Sequence, residues 1–348
     1  MIRLQPQTIK TIDDAYRLLQ MAIEIELCTL PPYLYALYTI KSGTNAAASG
    51  LIRTVALQEM IHMCLACNLL NALGGDPVIA SAKVAGRYPR AIPGDIGSHG
   101  GETFKVHLLP FSAASMKQAM DIEEPEDGAI VFPERTLLAA PPEFTTIGQF
   151  YAHLDAFLAT LSPTDWKKGR NQIDDAQFFP GELFAIDGYP SAHEAIKRIV
   201  SQGEGSKTSP LDFQQELAHF YRFAEVFRNQ TLTKDPNPTG FAWSKVPLDV
   251  DWKEVYPAIP DPSAHDFSKE PAAAQAAQNA CNAAYTLMLQ ELQRAVSGEG
   301  ARLGHAVRAM FDLRMATGVA LNTPLADGTS VAGPSFLFTA EPTIRSAS

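Results

Sequence analysis

Apolar side chains recur every three to four residues along two long segments near the start of the chain, the spacing of a helix with one buried face. The first segment runs from about residue 13 to 40, and the second from about residue 50 to 73. We expect the second helix to stop at Gly74, because glycine is common just beyond a helix end. Pro31 and Pro32 interrupt the first segment, and a kink is expected there because an internal proline removes a helical hydrogen bond.

The periodicity is broken from about residue 76 to 190, where prolines recur. We interpret this stretch as a long crossover that carries two short helices. Helical spacing then returns over about 191–204 and 211–229, and after a proline-rich loop over 230–271 it continues in two C-terminal helices within 272–317. The pattern predicts a mainly α fold for residues 1–348 as a single domain: a four-helix bundle with a long crossover insertion and two extra C-terminal helices.

Composition narrows the possible classes of protein. Of the 348 residues, 46% are hydrophobic and 19% are charged, which excludes a disordered chain. The net charge of −10 argues against a nucleic-acid partner. Neither a signal peptide nor an apolar run of about 18 residues is visible, so we expect a cytoplasmic protein with no membrane partner. Cys64 and Cys67 form a C-x-x-C inside an apolar helical run, which favours a core role over a redox role.

Two Glu-x-x-His motifs interrupt the apolar helical faces. Glu59 and His62 lie in the second helix, and Glu216 and His219 lie in the segment 211–229. Residues i and i+3 lie about 60° apart on a helix and are separated by about 4.5 Å of rise, so both side chains can reach one metal ion. A buried carboxylate costs several kcal/mol unless it is compensated. The apolar face of the second helix carries no Lys or Arg, which favours a metal.

One further glutamate faces each motif if neighbouring helices form antiparallel hairpins. A turn about Gly43 places Glu26 level with the motif of the second helix, and a turn about Pro210 places Glu204 level with Glu216. Glu204 lies between two glycines, so a capping role is the alternative for this residue. The predicted ligand set is Glu26, Glu59, His62, Glu204, Glu216 and His219. Four carboxylates and two imidazoles are the ligand pattern of di-iron and di-manganese bundles, so two Fe (or Mn) ions are the expected cofactor.

Several stretches carry the pattern of one known family: Glu24-Ile-Glu26-Leu-Cys-Thr-Leu-Pro31-Pro32-Tyr33, Glu59-Met-Ile-His62, Ile122-Glu-Glu-Pro125, Gln202-Gly-Glu-Gly205 and Glu216-Leu-Ala-His219. They resemble the ferritin-like family of the iminophenyl-pyruvate dimer synthase type. Relatives of that family include parts of the synthases that couple amino-acid-derived imines in violacein and rebeccamycin biosynthesis. The resemblance implies a ferritin-like bundle with a metal site. The sequence departs from the family pattern at Gln149 and Ser201, where glutamate is expected.

The sequence therefore favours a dinuclear-metal oxidoreductase that activates O₂ or peroxide on a small organic substrate, with an amino-acid-derived imine as one candidate. Two alternatives stay open. The first is a non-catalytic metal-binding or iron-handling protein. The second is a metal-free helical binding protein whose buried acids are protonated or paired with Arg53 and Arg222. The expected assembly is a monomer or small homo-oligomer, and Glu24, Gln149 and His153 are further residues that could contribute to the site.

Overall fold

The computed structural model describes residues 9–96, 103–125, 147–174, 177–205, 209–236 and 240–339. This part of the chain is mainly helical, as predicted. Its α-helices are α1 (Ile12–Thr39), α2 (Ala46–Leu73), α3 (Ala82–Ala85), α4 (Ala113–Ile122), α5 (Ile147–Leu158), α6 (Tyr189–Glu204), α7 (His219–Arg228), α8 (Ala272–Val296) and α9 (Leu303–Ala320). Two small antiparallel sheets pair β1 (Arg90–Ala91) with β2 (Lys105–Val106) and β3 (Leu232–Lys234) with β4 (Phe241–Trp243). None of the described helices is long and apolar enough to cross a membrane.

The helices pack in pairs around the α1–α2 hairpin. Helix α1 lies along α2, and α8 lies along α9 next to them. Helix α4 packs on α7 and α5 packs on α6, while α2 contacts both α6 and α7. Because α4 and α5 belong to the long crossover and both also contact α1, the crossover forms one wall of the bundle interior.

Helix α1 begins with a reciprocal cap. The Thr11 side chain accepts the Asp14 N–H at 3.2 Å, and the Asp14 carboxylate accepts the Thr11 N–H at 3.0 Å. The helix then continues through Pro31 and Pro32 without a break. Pro32 has no N–H to offer to the Cys28 carbonyl, and the Tyr88 hydroxyl donates to that carbonyl instead at 2.7 Å. The backbone that carries Glu26 is thus kept helical up to the turn that the prolines would otherwise weaken.

The predicted helix over 211–229 begins only at His219, eight residues later than expected. The Asp212 carboxylate accepts the N–H groups of Gln214 at 2.8 Å and Glu216 at 2.9 Å, and Gln215 adopts a left-handed φ of 65°. The Ala218 N–H donates to the Pro210 carbonyl at 2.9 Å and closes the segment. An aspartate that binds nearby N–H groups competes with helical hydrogen bonds, and residues 211–218 consequently form a loop.

Candidate metal centre

Five buried side chains meet in the interior of the bundle as two overlapping groups. One group contains Glu26, Glu59 and His62, and the other contains Glu59, Glu123 and His219. Within each group the possible ligand atoms all lie within 4.8 Å of one another. Glu59 belongs to both groups, so the arrangement has two halves joined by one carboxylate.

The first half is built on the α1–α2 hairpin. The Nδ1 atom of His62 lies 3.5 Å from Glu59 Oε1 and 3.7 Å from Glu26 Oε2. The other oxygen of each carboxylate accepts a hydroxyl group: Tyr151 donates to Glu26 Oε1 at 2.5 Å, and Thr29 donates to Glu59 Oε2 at 2.7 Å. In each glutamate, one carboxylate oxygen accepts a hydrogen bond from a hydroxyl group, and the other oxygen lies near His62 Nδ1.

The second half joins α2 to the end of α4 and the start of α7. The Nδ1 atom of His219 lies 2.9 Å from Glu59 Oε1 and 3.6 Å from Glu123 Oε2. Glu123 follows the last residue of α4, and its other oxygen, Oε1, accepts the Tyr33 hydroxyl at 2.5 Å. The second half thus repeats the pattern of the first, and Glu59 Oε1 is the atom that faces both imidazoles.

Both imidazole rings are oriented by glutamine side chains. His62 Nε2 lies 2.7 Å from Gln202 Oε1, and His219 Nε2 lies 3.0 Å from Gln58 Oε1. An amide oxygen only accepts hydrogen bonds, so each Nε2 carries a hydrogen and each Nδ1 is the nitrogen that faces the carboxylates. The rings stack with their centroids 5.6 Å apart. A histidine whose second nitrogen donates to an amide or carbonyl oxygen is oriented as a metal ligand.

A buried atom without a partner tests whether these residues fit a metal. His219 Nδ1 lies near Glu59 Oε1, but the two atoms lack hydrogen-bond geometry, and Nδ1 has no hydrogen-bond partner among the described residues. A buried imidazole nitrogen left unsatisfied costs free energy. A cation bound to His219 Nδ1 and to the neighbouring carboxylates would remove that cost. Hard oxygen and imidazole donors of this kind suit Fe or Mn, so the residues present fit the group that the sequence predicts.

The charge of the cluster is unbalanced when metal is absent. Burial raises the pKa of Glu26 to about 7, and His62 opposes that rise. Burial would also raise the pKa of Glu59, but the nearby imidazoles of His219 and His62 hold that pKa well below its usual range. Burial and the charge of Glu59 raise the pKa of Glu123. Three carboxyl groups share two imidazoles, so protons or metal ions must supply the remaining positive charge.

Arginine does not supply this charge, contrary to one alternative for a metal-free protein. The ion-pair partners of Glu26, Glu59 and Glu123 within the described residues are the two histidines. Arg222 donates instead to Glu216, Thr54 and the Leu217 carbonyl, the first of these at 3.0 Å. Arg53 lies at a different cavity near the start of α2.

The structure does not bring Glu216 into the cluster. Its side chain is 61% exposed and pairs with Arg222 at 3.0 Å. The prediction placed Glu216 one turn before His219 on a continuous helix, whereas Glu216 lies in the loop that Asp212 closes. The Glu-x-x-His spacing therefore has its expected geometry only in α2.

Glu204 lies beside the cluster and also caps a helix. It lines one small cavity with Glu26, Glu59, His62 and Glu123. Its Oε1 accepts the N–H of Gly148, in the first turn of α5, at 2.6 Å. The hydrogen bond to Gly148 is therefore a capping contact, the alternative role that the sequence gave for Glu204. Glu24, in contrast, pairs with Gln20 at 3.3 Å on α1 and contributes to neither group.

Sequence reasoning missed Glu123, although a signal for it exists. Met116, Ala119 and Ile122 form the buried face of α4, and Glu123 lies one turn beyond Ala119 on the same face. Glu123 is therefore an acidic residue on an apolar helix face, and the same criterion identified Glu26 from the sequence. The neighbouring Glu124 is exposed.

The sequence model described as ferritin-like matches residues 19–228, a range that contains all five residues of the cluster. The chain belongs to the ferritin-like family. The crystal structure of a ferritin-like protein from Caulobacter vibrioides is similar to this ferritin-like chain, with a TM-score of 0.62 and 23% sequence identity over 94% of this chain and 99% of that chain. At this level of identity the similarity concerns the fold, and it confirms the predicted fold class. No curated protein matches the sequence.

Proposed function

We propose that the cluster holds two divalent metal ions, iron or manganese. Glu26 and His62 would serve one ion, Glu123 and His219 would serve the other, and Glu59 would be shared between them. The observation that carries this proposal is that Glu59 Oε1 faces both Nδ1 atoms, each of which has its own second carboxylate. Glu123 takes the part that the sequence pattern gave to Glu216.

We further propose that the protein is an oxidoreductase that acts on a small organic substrate. Two iron ions held by these residues would supply the electrons for the activation of O₂ or peroxide. The resemblance to the iminophenyl-pyruvate dimer synthase type supports an amino-acid-derived imine as a candidate substrate. The membership of the ferritin-like family supports the metal site and leaves the choice of substrate to experiment.

The side chains of the chain itself would hold protons and exclude water. The hydroxyl groups of Tyr151 and Tyr33 donate hydrogen bonds to Glu26 Oε1 and Glu123 Oε1, each with an oxygen–oxygen distance of 2.5 Å. All five cluster residues are buried, so bulk water does not compete for the ligand atoms. The adjoining cavity measures about 10 Å³ between the described residues, the space of about one water molecule. The proposal therefore places a small oxidant next to the cluster and the organic substrate at its edge.

Metal analysis tests the proposal. Protein produced with iron or manganese supplied should contain about two metal ions per chain by elemental mass spectrometry. Glu59→Ala should retain far less than one ion, because both halves lose their common carboxylate. Fewer than one ion per chain in the unaltered protein would contradict the metal site. With two ions bound, oxygen or peroxide consumption in the presence of candidate imines tests the oxidoreductase function, and its absence would favour the iron-handling alternative.

A further inference from the structure

A second cavity lies at the end of the α1–α2 hairpin, away from the metal centre. It has a volume of about 440 Å³ and opens between the end of α1, the start of α2 and the last turns of α9. Ligand pockets in proteins typically measure about 300–1,000 Å³. The cavity shares no lining residue with the cluster, and along α1 its nearest wall residue, Leu37, is roughly 16 Å from Glu26. It is large enough for a small organic molecule.

The charge around this cavity is positive. Lys41, Arg53 and Arg314 line it, and no Asp or Glu is among the described residues of its wall. Lys41 pairs at 3.4 Å with Glu254, and both side chains are 42% exposed. Arg53 and Arg314 are exposed and have no ion pair or hydrogen bond with any described residue. Neither guanidinium group is therefore neutralised by an acidic side chain of the described residues, although the net charge of the chain is −10.

The start of α2 also borders this cavity. Asn45 stands at the cap position, but its side chain bonds Asp251 instead of capping the helix. The first turn of α2 therefore has no side-chain acceptor, and Ala46 and Ser49 of that region line the cavity.

One wall of the cavity carries a phenol and a guanidinium group. Tyr38 and Arg314 both line it, and burial raises the pKa of Tyr38 to about 12 against the opposing charge of Arg314. Thr317 lines the cavity as well, but its Oγ1 is fully buried beside the Cys281 thiol and is not a group that a ligand in the cavity can reach.

We propose that this cavity binds a small organic anion, with a carboxylate or phosphate group held by Arg53 and Arg314. The planar guanidinium group matches both carboxylates and phosphates and binds them through paired hydrogen bonds. The apolar part of the ligand would pack on the remaining wall, formed by Leu37, Tyr38, Ile40, Tyr256 and Leu321. This proposal is independent of the metal centre, since the two sites have no residue in common.

Titration calorimetry on the full chain tests the proposal with three probes of similar shape: phenyl phosphate, benzoate and benzyl alcohol. At least one of the two anions should bind, and the neutral alcohol should not. The anion that binds more tightly identifies whether the site takes a phosphate or a carboxylate. Arg53→Gln and Arg314→Gln should each weaken binding about tenfold or more. Arg308→Gln is the matched control, because Arg308 is exposed on the same helix as Arg314 but does not line the cavity.

A second measurement uses the unaltered protein and does not depend on the folding of variants. Phenylglyoxal modifies accessible arginines, and mass spectrometry gives the rate at each site. The bound anion should slow modification of Arg53 and Arg314 and leave Arg308 unchanged. Absence of binding by both anions, or equal protection of all three arginines, would overturn the proposal.

Discussion

The two halves of the candidate metal centre have the same chemistry but are built in different ways. Glu26, Glu59 and His62 project from one hairpin of two long helices. In the other half, Glu123 stands just after α4 and His219 is the first residue of α7. The first half is therefore set by helical periodicity, whereas the second depends on where two helices end. The comparison shows that Glu-x-x-His spacing brings the two side chains together in α2, where the helix is continuous, and not over 216–219, where the helix begins only at His219.

The largest expected effect is the loss of one metal ion, and it tests whether Glu123 completes the second half of the site. Glu123→Ala should reduce the metal content from about two ions per chain to about one, because His219 would keep only Glu59 as a carboxylate partner. Elemental analysis after identical loading measures this difference.

Glu216→Ala is the matched control for that experiment. Glu216 is 61% exposed and pairs with Arg222, so its removal should leave the metal content unchanged. Loss of metal in Glu216→Ala, with full occupancy in Glu123→Ala, would show that the continuous Glu-x-x-His motif is correct and the observed loop is not.

The loop explains why one half of the site could be predicted from sequence and the other could not. The apolar periodicity of α1 and α2 is regular, so both helices and the alignment of Glu26 with Glu59 follow from it, although α2 begins at Ala46, four residues earlier than predicted. The segment 211–218 contains no proline or glycine after Pro210, and its periodicity favours a helix. The turn formed by Asp212 ends that helix, and single-sequence periodicity does not reveal which N–H groups an aspartate binds.

A smaller effect concerns pH and the first half of the site. Metal binding requires Glu26 without its proton, and burial raises the pKa of that carboxyl to about 7. Binding also requires His62 without its Nδ1 proton, and although burial opposes the rise, Glu26 and Glu59 raise the pKa of that imidazole to about 10. Metal affinity should therefore increase by about tenfold or more per pH unit below pH 7 and continue to increase, less steeply, above it. Competition with a chelator of known affinity at pH 6, 7 and 8 measures this change.

Protonation of Glu26 weakens metal binding, but it stabilises the folded protein when metal is absent. Because the folded-state pKa of Glu26 is raised from 4.5, its contribution to stability is present at low pH and is lost as pH rises toward 7. A metal affinity that does not change between pH 6 and 8 would contradict the shifted pKa of Glu26.

The smallest expected effect concerns the helix that supports the first half. Tyr88→Phe removes the donor that replaces the missing Pro32 N–H at the Cys28 carbonyl, and it should lower the free energy of unfolding by about 1 kcal/mol. Urea denaturation measures the loss. Tyr285→Phe is the matched control, because the Tyr285 hydroxyl is buried without a hydrogen-bond partner. Equal losses in the two variants would show that the hydroxyl of Tyr88 does not support α1.

The close approach of Gly148 to Glu204 also restricts how this sequence can evolve. A Cβ atom at position 148 would lie 2.5 Å from both carboxylate oxygens of Glu204, so alanine there requires the end of the Glu204 side chain to move. That movement would break the hydrogen bond between the Gly148 N–H and Glu204 Oε1. Among descendants of this sequence, replacement of Gly148 should therefore be more frequent where Glu204 has also been replaced, and a comparison of many such descendants would show this association.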